Sequence, residues 1–215
     1  VEAGAVPRKI YDKGPFLSGN LIRVDPPCIV TLDYSEQGTS MLRALNFEER
    51  SVVADYKVST RAQVYEEQFS RSMRRCAVML PGSNETQRHG GYNWEILDAG
   101  AAEPVLKIPV ALALVLSPDG EYLVTQAIDD HAVLIHVSTG QTLYEFPLDK
   151  EKDWTYAVFA ADSRTVAVYG GFDAYEVVRI SEEGCTETPL EFRIGTWLSS
   201  QCFSPDGTRL LSATR

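Results

Sequence analysis

Short runs of alternating apolar and polar residues, each ended by a turn signal, make up most of this chain. The clearest example spans residues 113–146. It predicts a strand, a turn at Ser117-Pro118-Asp119-Gly120, a second strand, an acidic loop, a third strand, a turn at Ser138-Thr139-Gly140 and a fourth strand. Pro118 presets φ for its turn and Gly120 tolerates a positive φ, so the two flanking apolar runs read as a hairpin. Four short antiparallel strands in about 35 residues make one blade of a β-propeller.

The motif recurs. Leu116-Ser117-Pro118-Asp119-Gly120 is echoed by Phe159-Ala160-Ala161-Asp162-Ser163 and by Phe203-Ser204-Pro205-Asp206-Gly207, which sets the aspartates at 119, 162 and 206. A period of about 40–45 residues is that of propeller blades. Hairpins are therefore expected over 113–127, 155–169 and 199–213, with Leu116, Phe159 and Phe203 as equivalent buried positions. Tyr34-Ser35-Glu36-Gln37-Gly38 is a weaker copy of the turn.

The expected architecture is all-β: a propeller of four-stranded antiparallel blades over residues 28–215, with about five blades visible. Residues 1–27 form an N-terminal arm with possible closing strands. In the first blade, 29–34 and 40–45 are read as the opening hairpin, 52–58 as the third strand and 63–66 as the fourth. In the second, 76–80 and 92–97 are the two middle strands, and a first strand is hard to place. The fourth blade runs through 155–159, 165–169, 175–180 and 191–194, and the fifth through 197–203 and 209–213. A closed five-bladed ring and part of a longer propeller both fit. The best helical pattern, residues 66–75, is short and charged and reads better as a connection between blades.

Composition changes the picture little. The chain has 215 residues, 44% hydrophobic and 23% charged, which is ordinary for a globular domain. No run approaches the ~18 apolar residues of a membrane helix, so no membrane insertion is expected. The formal charge of −10 argues against a nucleic-acid partner, which would call for a basic surface. Arg71, Arg74 and Arg75 form the one basic cluster, read as a solvated turn between strands, with a patch for an acidic partner as the alternative. Cys28, Cys76, Cys185 and Cys202 are far apart and beside apolar residues, which suits buried free thiols in a reducing, intracellular and cytoplasmic setting.

Reactive chemistry finds no constellation. His131 and His136 lie on opposite faces of a strand, and His89 has no partner at ligand spacing, so no metal is expected. Neither a nucleophile elbow nor a phosphate loop occurs, and the adjacent carboxylates Asp129-Asp130 and Glu182-Glu183 read as solvated loop charge. No catalytic residue and no cofactor is assigned. Two segments exceed what the blade pattern needs. Residues 81–91 form a long polar loop, and 150–154 end in Trp154, an aromatic placed where it can anchor a partner. The candidate partner-binding residues are Trp154, Arg88, His89, Asn84, Asp129 and Asp130.

Residues 132–143, with the hairpin at 203–207, resemble the third strand, turn and fourth strand, and then the first turn, of WD-repeat and related seven-bladed propellers. Ile135-His136 stand where such a repeat has its Trp-Asp pair. The resemblance covers residues 28–215 and implies a divergent propeller. The function it implies is a non-catalytic scaffold for other proteins, as a subunit or domain of a larger complex whose remaining blades or subunits complete it. The rival is a propeller with a ligand or an active site in its central channel, or the propeller gate of a hydrolase with its catalytic domain elsewhere.

Overall fold

A computed structural model describes residues 28–34, 39–46, 48–59, 69–80, 92–127, 131–146, 155–170, 174–190 and 198–214. Every regular element among them is a strand, so the all-β expectation holds. The first sheet holds β1 (Cys28–Tyr34), β2 (Thr39–Asn46) and β3 (Ser51–Ser59). A continuous ladder of six follows: β4 (Arg75–Leu80), β5 (Tyr92–Asp98), β6 (Leu106–Leu116), β7 (Tyr122–Ala127), β8 (Ala132–His136) and β9 (Gln141–Glu145). The third sheet is β10 (Thr155–Phe159), β11 (Thr165–Gly170), β12 (Ala174–Ser181) and β13 (Gly184–Leu190), and β14 (Leu198–Phe203) pairs with β15 (Leu210–Thr214). All pairings are antiparallel between sequence neighbours.

The six-stranded ladder is two blades joined through one strand. The first half of β6 pairs with β5, Leu106 opposite Ile96, and its second half pairs with β7, Leu116 opposite Leu123. Ala111 is opposite both Tyr92 and Ala127, and the register shifts on either side of it. Pro109 lies just before this junction and has no N–H to give a ladder. The turns before β4 and β7 lie side by side, with the Arg71 N–H donating to the Pro118 carbonyl at 2.6 Å. Strand β6 must therefore reverse its course at the junction. Its first half is the outer strand of one blade and its second half the inner strand of the next.

Period-two alternation then sends each strand's side chains into two different seams. On β4, Cys76 and Val78 pack with Leu42, Ala44, Tyr56 and Val58 of the first sheet. Ala77 and Met79 face the other way, against Trp94, Ile96, Leu114 and Leu116. On β7, Leu123 joins that second cluster, while Tyr122 and Val124 join Phe159, Val166 and Val178 in a third. Each fully buried Val, Leu or Phe contributes about 1.5–3 kcal/mol, and the sheets are held face to face by these three cores.

Leu116 and Phe159 are 4% and 9% exposed, as their equivalence requires. Phe203 is only half-buried, because among the described residues no cluster fills its seam as completely. Two further expectations change. The fourth strand of the 155–190 blade is Gly184–Leu190, since a tight turn at Ser181–Gly184 brings it forward from 191–194. Residues 69–75 hold a turn, with a bridge from Phe69 to Cys76, and form a connection leading into β4, in keeping with the reading of that segment as a connection between blades. Cys202 is exposed, whereas Cys28 and Cys76 are buried as expected.

The first sheet is also one strand out of register with the sequence reading. Arg50, immediately before β3, has φ 54, matching Gly140 at φ 68 immediately before β9. The Gly100 N–H donates to the Asp55 carbonyl at 2.8 Å, and Gly140 likewise sits against Leu106 on the outer strand of the preceding blade. So β3 is an outer strand, and β1 and β2 are the second and third strands of their blade. The strand expected at 63–66 lies outside the described residues.

Candidate functional site

The end of the blades that carries the tight turns is a connected polar rim. Four turns share one geometry. Ser70, Ser117, Ala160 and Ser204 donate N–H to the carbonyls of Arg75, Tyr122, Thr165 and Arg209 at 2.8–2.9 Å. Met73, Gly120, Ser163 and Gly207 close the inner loop with positive φ of 56, 79, 60 and 69. In three of the turns the aspartate caps the following backbone. Asp119 accepts from the Glu121 N–H at 2.9 Å, Asp162 from the Arg164 N–H at 2.8 Å and Asp206 from the Thr208 N–H at 3.1 Å. These donors explain why Asp162 ionises more readily than an ordinary aspartate although burial acts the other way.

The turn at 69–75 is the copy that sequence reading missed. Ser72 and Met73 replace the Asp-Gly pair, so the turn residues that mark the other copies are absent. The only clue was Phe69-Ser70, which matches Phe203-Ser204. This turn also corrects the solvated-cluster reading, since Arg75 is 3% exposed. Its Nε donates to Asp98 at 2.6 Å, Nη1 to the Gly120 carbonyl at 2.9 Å and Nη2 to Ser138 Oγ at 3.0 Å. Glu121 Oε2 lies 3.0 Å from Nη1. A planar five-donor fork thus ties one blade to both turns of the next. Arg71 and Arg74 remain exposed.

The next seam uses different side chains for the same purpose. The Asp119 N–H donates to Ser163 Oγ at 2.9 Å. Arg164 donates to the Tyr122 hydroxyl and lies 4.9 Å over its ring. Farther along that seam, the Tyr144 hydroxyl contacts both Glu176 and Glu187. One phenolic proton cannot satisfy two carboxylates. Burial, with Glu187 nearby, raises the Glu176 carboxyl, while the hydrogen bond from Tyr144 offsets part of that rise. His136 bonds Thr139 at 2.9 Å, and among the described residues no three of His, Cys, Asp and Glu gather to hold a metal ion.

Asn84, Arg88, His89, Asp129, Asp130 and Trp154 all lie outside the described residues. Their flanking strand ends do not. Leu80, Tyr92, Ala127, Ala132, Glu145 and Thr155 are the ends remote from the tight turns, because each strand runs away from or toward one of those turns. Every one of the six candidates therefore belongs to a connection anchored at the same end of the blades. Tyr156 and Tyr169 mark that end of the next blade, stacked at 5.1 Å and 13°, with Tyr156 51% exposed.

No family model matches the sequence, and no curated protein matches it. Solved structures do. A chain of a mitotic checkpoint complex aligns with a TM-score of 0.48 at 14% identity, over 87% of this chain and 74% of that one. The Cps50 (Swd1) β-propeller domain of Myceliophteria thermophila aligns with a TM-score of 0.56 at 10% identity. That alignment covers 94% of this chain and 64% of that domain, so the chain spans less than two thirds of its length. At such identity the likeness shows the fold, and the fold is a β-propeller.

Proposed function

We propose that this chain is a non-catalytic β-propeller scaffold that binds other proteins through one end of its blades, as part of a larger assembly. The observation that carries the reading is the division of labour between the two ends. At one end polar side chains hold blades together, as in the four contacts of Arg75. At the other end are anchored the connections that depart from the repeat, including 81–91 and 147–154, with the stacked pair Tyr156 and Tyr169 beside them. Rigid blades presenting variable connections are the usual basis of a recognition surface. The Swd1 propeller domain supports the fold on which this reading rests.

Cross-linking of the chain in its native assembly, read by mass spectrometry, tests the proposal. Links to partner proteins should concentrate at Lys150 and Lys152. Lys107, close to the tight-turn end, should give few. An even distribution, or links only from Lys107, would reverse the assignment of the two ends.

A further inference from the structure

Blade by blade, the third residue of the tight turn is an anionic acceptor: Asp119, Asp162 and Asp206. In the blade of β4 it is Ser72, which is exposed. The neutral hydroxyl does the same work poorly. Ser72 Oγ lies 3.4 Å from the Arg74 N–H it should accept and 3.5 Å from Ser70 Oγ. The hydroxyls of Ser117 and Ser204 reach their aspartates at 2.6 Å and 2.5 Å. Arginines flank the missing charge in the sequence. Arg71 and Arg74 are both exposed, and Arg74 reaches Glu121 only at 3.9 Å. Arg75 is committed to Asp98, Glu121, Ser138 and the Gly120 carbonyl, so it does not compete.

We propose that Ser72 is a phosphorylation site, and that its phosphoryl group supplies the anionic cap which the other three turns carry as aspartate. In the reaction Ser72 Oγ bonds to the γ-phosphorus of ATP in a serine/threonine kinase that favours basic sequences. The bond from that phosphorus to the β,γ-bridging oxygen breaks, ADP leaves and the hydroxyl proton is released. A phosphoserine carries about −1.5 to −2 charges and three acceptor oxygens, enough to take the Arg74 N–H and to draw the Arg71 and Arg74 guanidinium groups inward. Arg74 then leaves Glu121, and the exposed basic spot on the tight-turn rim becomes a neutralised one. Because the Arg71 N–H already bonds the Pro118 carbonyl at 2.6 Å, stiffening this turn also stiffens the seam to the next blade.

The test treats the folded full chain with the catalytic domain of a basophilic serine/threonine kinase and MgATP, then maps the product by peptide mass spectrometry and measures its melting temperature. The expected result is phosphate on Ser72 and a rise in melting temperature of about 2–4 °C, the shift that one added cap gives in a chain of this size. Ser72→Asp should reproduce the rise without kinase, and Ser72→Ala should show neither labelling at that residue nor a shift on treatment. Absence of phosphate at Ser72, or a phosphorylated chain or a Ser72→Asp chain that melts no higher than the untreated protein, overturns the proposal.

Discussion

Arg75, buried in one blade, donates Nη1 to the carbonyl oxygen of Gly120 in the next at 2.9 Å. The approach is close enough that a Cβ on Gly120 would stand 3.1 Å from the Cβ of Arg75 and of Ser70. The packing of the seam and the hydrogen bonding of its rim are therefore set at the same point.

Arg75→Ala should cost about 3 kcal/mol, because it leaves Asp98 without the cation it bonds, Glu121 with only the more distant Arg74, and the Gly120 carbonyl without its donor. Arg75→Lys should recover little, since one ammonium group cannot span four acceptors in different directions. Chemical denaturation of both variants checks this. A lysine variant as stable as the parent would mean that charge alone holds the seam.

Phe159→Ala should cost about 3–5 kcal/mol, the loss of a ring from a filled core. At the half-buried equivalent position, Phe203→Ala should cost about half as much, since less of its ring is out of water. Equal losses in equilibrium unfolding would place the two residues in equally filled seams.

Arg50 and Gly140 precede outer strands in the same left-handed backbone conformation, φ 54 and φ 68. Arg50→Gly should therefore raise stability by about 0.5–1 kcal/mol, and Gly140→Ala should lower it by about 1 kcal/mol. The pair tests the strand register of the first sheet as well as the turn. Destabilisation by Arg50→Gly would argue against both.

Acid should separate two carboxylates. Burial holds the Glu176 carboxyl above its ordinary value of 4.5. A carboxyl whose folded value exceeds its unfolded one binds its proton more tightly in the fold. Its contribution is complete below the unfolded value and is lost as pH rises through the folded one. Asp162 is the reverse case, held below its ordinary 3.8, so its contribution is present above that value and is lost only in stronger acid. Glu176→Gln keeps an acceptor for Tyr144 and should remove the loss of stability that sets in as pH rises above the ordinary value of 4.5, leaving the acid limb unchanged. An unaltered pH profile of the urea midpoint would show that Glu176 does not titrate there.

The fold was legible wherever turn chemistry shows in residue identity. Ser117-Pro118-Asp119-Gly120 and Ser204-Pro205-Asp206-Gly207 declare both a preset φ and a positive one, and even Asp162-Ser163 kept the aspartate. Ser72-Met73 kept neither, because Met73 accepts a strained φ of 56 in exchange for a side chain 1% exposed in the core between sheets. Similarly, Gly38 drew the opening turn of the first blade to 35–38, whereas the residue with positive φ before β3 is an arginine. Arg75 looked like surface charge because its four partners come from Asp98, Gly120, Glu121 and Ser138, none of them near it in the chain. Of the candidate binding surface, the departures from the repeat were legible in the sequence. That they share one end of the blades needed the strand directions.

On the proposed function, this shared end binds partner proteins while the tight-turn end holds the blades together. Its most direct test is to purify the chain with its assembly after deletion of residues 83–89 and, separately, with Trp154→Ala. Both changes should leave the melting temperature nearly unchanged and reduce recovery of the co-purifying proteins. Variants that retain every partner at unchanged affinity would contradict the claim.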